Sequence, residues 1–144
     1  MCEYGDFQSE FALSRTDERP HVLIAYWITA TLLAFMYLLA GGMKLFTKKE
    51  KLEDMMAWSK NMNPVLFHLI GLVEVLGALG VILPPMFMIA PQLAPIAALG
   101  LVIVQAVAIG VHVRMKDVRS LPLNIILLVL ALVVAWLGAA CFPF

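Results

Sequence analysis

Glu74 is the residue best placed to do chemistry, because it is an acid set inside an apolar run. It lies about ten residues into a stretch beginning near Val65, hence roughly 15 Å deep if that stretch is a helix rising 1.5 Å per residue. A carboxyl group at that depth costs at least about 2–3 kcal/mol to insert, so it is expected to face other helices and to find a partner there. In such a place it could accept and relay a proton, or tie helices together. Gln105 falls at a similar depth in a later run, and Gln105, Ala108 and His112 share one helical face. Lys44, His112, Asn124 and, as a secondary candidate, His68 sit near one end of their runs. Polar groups therefore converge from one surface toward the midplane, with Lys44 and His112 able to orient or stabilise charge at the mouth. Each also has a plainer reading. Gln105 and Asn124 can be interhelical glue, worth about 0.6 kcal/mol on average. Lys44 can reach out to headgroups, and the histidines can simply mark the interface.

The elements that must position these residues are apolar. Of 144 residues, 62% are apolar and 14% charged, with a mean hydropathy of +0.93. Soluble domains of this size keep too much surface to hide that much hydrocarbon, whereas a bilayer accepts it directly. Four runs are long enough to cross: Val22 to Met43, about Val65 to Leu83 closed by Pro84-Pro85, Leu93 to Val113, and Leu121 to about Phe142. Unpaired backbone groups are not tolerated in lipid, so each run is expected to be helical. The fold class is all-α: a membrane-embedded four-helix bundle over residues 22–144, preceded by a polar tail at residues 1–21. The first run is too long for the apolar region of a cleaved leader and no small-x-small site follows it, so it reads as a retained span.

Residues 44–63, between the first two runs, carry Thr47-Lys48-Lys49-Glu50, which fits a capping box. Leu52, Met55, Met56 and Ser59 follow on one face, and Trp58 suits the headgroup zone. This segment is expected to be a short amphipathic helix lying on the membrane surface, with a lid over an interior site as the functional alternative.

Charge sets the orientation. Lys44, Lys48, Lys49, Lys51 and Lys60 lie on the same side as Arg114, Lys116 and Arg119, against only Arg15 and Arg19 on the other. The positive-inside rule places loops 44–63 and 114–120 in the cytoplasm and both termini outside a plasma or inner membrane. Net charge is zero, which points to no nucleic-acid partner. Cys2 and Cys141 lie near opposite chain ends without a CxxC or metal-ligand spacing; a disulfide between them is geometrically allowed, and two unpaired thiols are the simpler reading. His68 and His112 meet the minimum for haem ligation, two histidines at comparable depth on adjacent helices. They sit so close to the interface that haem is not expected. No metal site is expected either, and no phosphate-binding Gly loop, nucleophile elbow or HExxH is present.

Around these same residues the sequence resembles a known family. Ala40-Gly41-Gly42-Met43-Lys44-Leu45 is similar to the A-G-x-x-K-L signature of DoxX-like membrane proteins, and Gly71-Leu72-Val73-Glu74-Val75-Leu76-Gly77 to that family's G-x-x-E-x-x-G stretch. The approach to His112, and Asn124 in Leu121-Pro122-Leu123-Asn124, resemble it more loosely. The resemblance spans about Ile24 to Trp136. It implies a four-helix bundle with Lys44, Glu74, His112 and Asn124 at the family's polar positions. It also implies a small membrane subunit associated with a redox or quinone-linked complex, since the family takes its name from such a subunit. Quinone is then the cofactor a polar pocket would contact, and the chain is at most a non-catalytic or quinone-contacting subunit. Two other functions remain open. One is a non-catalytic assembly or interaction factor, whose partners would be other membrane proteins or a homo-oligomer. The other is a small-solute carrier, disfavoured because no span is broken at its midplane.

Overall fold

The computed structural model describes residues 3–48, 50–51 and 63–143, with side-chain surroundings from residue 20 onward. Among them are four long helices: α1 (Glu3–Phe46), α2 (Pro64–Phe87), α3 (Leu93–Arg114) and α4 (Leu121–Cys141). All four are long and apolar enough to span a membrane. The polar segment before the first apolar run continues as α1 backbone from Glu3, with Pro20 inside the helix. The surface helix expected between the first two spans, and Cys2 with its conceivable disulfide, lie largely or wholly outside the described residues.

Short connections at 88–92 and 115–120 force neighbouring helices to run antiparallel. The helices pack as a ring, α1 against α2, α2 against α3, α3 against α4, and α4 back against α1. The interior is built from small and aromatic side chains. Ala30, Ala34, Ala78, Ala94, Ala98 and Ala131 bring backbones close, while Tyr26 and Tyr37 fill the space between them at 0% exposure. The outer faces carry Ile28, Ile103 and Trp136 at 65%, 66% and 73% exposure. Large apolar groups outside and satisfied polar groups inside is the arrangement a lipid solvent selects.

Pro84 and Pro85 do not close the second helix. They lie within it, and it runs on to Phe87 before Met88, at φ 56°, turns the chain out. A proline ring removes the N–H that would reach the carbonyl four residues back. The Val81 carbonyl, which Pro85 cannot serve, instead accepts the Tyr26 hydroxyl at 2.6 Å. Tyr26 is held in place by the edges of Trp27 and Phe142, with ring centroids 5.8 and 5.2 Å away. The exit from α2 is stabilised by Ile89 N–H donating to Pro84 O at 3.1 Å, so the helix ends by a left-handed cap and not by its prolines.

Candidate functional site

The α1–α2 crossing is set by two glycines. A Cβ on Gly41 would lie 2.8 Å from the Gly71 carbonyl oxygen, and one on Gly71 would lie 2.8 Å from Lys44 Cβ. Only bare backbone fits there. Farther along, Gly77 and Gly80 face α3 instead, against Leu101 and Ala97. The small-residue stripe around Glu74 thus serves two neighbours, one on each side of the acid.

Beside the glycine crossing, Lys44 Nζ donates to both carboxylate oxygens of Glu74, at 2.6 and 2.7 Å. Both residues are buried. Helix geometry favours this contact. Every Cα–Cβ bond tilts toward its own helix N-terminus. Lys44, in the last turn of α1, therefore leans down into the bundle. Glu74, near the middle of the antiparallel α2, leans up toward the end that Lys44 occupies. Lys44 does not reach outward to headgroups; it reaches inward to an acid.

Gln105 does not join that pair. Its Oε1 accepts the Tyr37 hydroxyl at 3.0 Å, across the bundle from α1 to α3, and its Nε2 donates to Asn124 Oδ1 on α4 at 2.5 Å. Asn124 Nδ2 donates to the Ser120 carbonyl at 2.9 Å. The Ser120 hydroxyl then donates to Asp117 Oδ2 at 2.7 Å, and His112 Nδ1 lies 3.0 Å from that same oxygen. A carboxylate only accepts, so Nδ1 carries the proton in this contact. The Asp117 carboxyl is held below the usual carboxylate range by the Ser120 hydroxyl first, and also by His112. The sequence candidates therefore divide into two connected sets, a Lys44–Glu74 ion pair and a chain running Tyr37–Gln105–Asn124–Ser120–Asp117–His112. His68 is not brought in; it is exposed, with its ring edge-on to Phe67 at 6.3 Å.

Three members of this arrangement escape a reading of the sequence: Tyr37, Asp117 and Ser120. Tyr37 is detectable in retrospect, because Tyr37, Gly41 and Lys44 stand at i, i+4 and i+7 and so share a face. Asp117 and Ser120 carry no such signal, since a loop has no period. Among the described residues, no buried side-chain nitrogen or oxygen lacks a hydrogen-bond partner. Nor do three His, Cys, Asp or Glu side chains gather there as a metal site would require.

Apolar outer faces, interior polar groups paired throughout the described residues, and a glycine crossing beside one acid define a membrane-spanning four-helix bundle. The DoxX-like family model matches residues 28–134, and the chain belongs to that family. Comparison with curated proteins and with solved structures yields no match.

Proposed function

We propose that this chain is a small accessory subunit of the plasma or inner membrane, working beside a redox or quinone-linked complex without performing turnover itself. The observation that carries the non-catalytic reading is the pairing of every buried side-chain nitrogen and oxygen among the described residues. Glu74 uses both oxygens on Lys44, and Gln105 uses both ends of its amide on Tyr37 and Asn124. Groups engaged in this way hold four helices in one arrangement and present a rigid apolar surface to a partner. Support for a redox partner comes from the family resemblance. The orientation, basic loops to the cytoplasm, rests on the positive-inside rule.

Contact with a quinone is the second reading. It is favoured by the buried Lys44–Glu74 pair and by Tyr37, also buried and on the same face of α1 as Lys44.

The deciding experiment is affinity purification of the intact chain from native membranes in mild detergent, with partner identification and quinol-oxidation assays on what is recovered. A reproducible oxidoreductase partner supports the proposal; recovery of unrelated membrane proteins alone favours a general assembly factor. Glu74→Gln separates the two roles. A clamp loses partner recovery while turnover per recovered complex is unchanged, whereas a quinone contact loses the turnover itself.

A further inference from the structure

The α3–α4 loop sorts its charges by direction. Its one carboxylate, Asp117, is turned back into the structure, accepting from Ser120 and meeting His112. The Asp117 N–H also donates to the His112 carbonyl at 3.0 Å, which closes the end of α3. Lys116 takes the left-handed position of that turn, at φ 58°. With the acid engaged inward, Arg114, Lys116 and Arg119 are all exposed, and among the described residues no carboxylate pairs with any of them. These cations stand where two apolar helices meet water, since α3 ends at Arg114 and α4 begins at Leu121. Directly beside them the lipid-facing side chains begin, with Val113 and Leu123 exposed. The connection at the opposite end, 88–92, contains no charged residue.

We propose that this loop is a binding surface for the headgroups of anionic phospholipids. Charge complementarity supplies the recognition: three exposed cations within a few residues, with the loop's own carboxylate engaged inward. The adjoining apolar faces choose the source of the anion. A phosphate carried by a lipid is delivered at this height, with its acyl chains along Val113 and Leu123; a free phosphate has no use for those faces.

The test uses the purified full chain in bilayers of phosphatidylcholine, measuring by spin-label resonance how strongly labelled phosphatidylglycerol associates relative to labelled phosphatidylcholine. The wild type is expected to favour phosphatidylglycerol several-fold. That preference should shrink in 1 M salt, where the screening length falls to about 3 Å. Removing the cations in R114Q/K116Q/R119Q should bring the ratio close to one, a several-fold loss in all, because each cation near the surface adds to the attraction for anionic lipid. All three are exposed, so the bundle is expected to keep its helicity, which circular dichroism checks. The variant K48Q/K51Q, altering exposed lysines after α1, should retain most of the preference. A wild-type ratio near one, or an unchanged ratio in the triple variant, overturns the proposal. If the triple variant keeps its lipid ratio but loses a co-purifying protein, the loop serves an acidic protein segment, and the proposal fails. If inorganic phosphate at fixed ionic strength erases the preference, the site takes free anion, and the lipid assignment fails.

Discussion

Lys44 and Glu74 lean toward each other from opposite levels of two antiparallel helices, meeting at 2.6 Å just past the point where Gly41 touches Gly71. The ion pair and the glycine crossing are one device: the crossing brings the helices close enough for the side chains to meet. Breaking one partner leaves a buried charge without compensation, which costs about 3–5 kcal/mol in comparable buried pairs. Lys44→Met and Glu74→Gln should therefore each lower stability by about that much in detergent unfolding. The double variant Lys44→Met/Glu74→Leu should recover most of the loss, because no lone charge remains. Additive losses in the double variant would show that the pair does not act as a unit.

The glycine half of the device makes its own prediction. Gly41→Ala places a methyl against backbone oxygen, which cannot yield as a flexible side chain can, so α1 and α2 must separate. Overpacking of this kind costs about 1–3 kcal/mol. Gly42→Ala is the matched control, since a Cβ there meets nothing within 4 Å. Equal melting temperatures for the two variants would contradict the close crossing.

The hydrogen-bonded chain is expected to be worth less per link. Tyr37→Phe deprives Gln105 Oε1 of its donor, and single interhelical bonds in membranes average about 0.6 kcal/mol, with a maximum near 1.7. Gln105→Leu should cost more than Tyr37→Phe, because it strands both the Tyr37 hydroxyl and the Asn124 carbonyl. A ranking in the reverse order, read by the same unfolding assay, would mean that Gln105 is not the hub.

Asp117 gives the loop an acid limit. Its carboxyl is depressed by the Ser120 hydroxyl and by His112. A depressed acid contributes stability above its unfolded value and loses it as pH falls through the folded value. The loop contact should thus hold through neutral and mildly acidic pH and open below the ordinary carboxylate range. Ser120→Ala removes the largest cause and should move that opening to higher pH. Carboxyl-carbon NMR titration of Asp117 follows it directly.

The sequence made the spans legible because lipid demands long unbroken apolar runs, and Glu74 stood out because nothing else explains an acid within one. Lys44 was ambiguous for a physical reason: a long cationic side chain at a helix end can reach outward to headgroups or inward to an acid, and its own run does not show whether an acid on another helix lies within reach. The hydrogen-bonded chain was only partly visible. Gln105, Asn124 and His112 announce themselves as polar groups, but Tyr37 is amphipathic and passes for one more aromatic in an apolar run. The prolines misled in the opposite sense. A proline pair reads as a helix end because two carbonyls lose their donors, and that reading omits any donor arriving from another helix.

Tyr26 is that donor, and it supplies the sharpest test of how α2 continues past its prolines. Val81 O is deprived of an in-helix partner only because residue 85 is proline, and the Tyr26 hydroxyl fills the vacancy at 2.6 Å. Tyr26→Phe keeps the ring between Trp27 and Phe142 but removes the donor, leaving a carbonyl unpaired away from water. Losing one such bond typically costs about 1–3 kcal/mol. Pro85→Ala restores an N–H four residues after Val81, so the helix can satisfy that carbonyl itself. In the Pro85→Ala background, Tyr26→Phe should then be markedly less costly than in the wild type. The two substitutions are coupled through one oxygen atom and should not add. If Tyr26→Phe is equally costly in both backgrounds, the tyrosine acts by packing alone, and another cause must be found for the helix reaching Phe87.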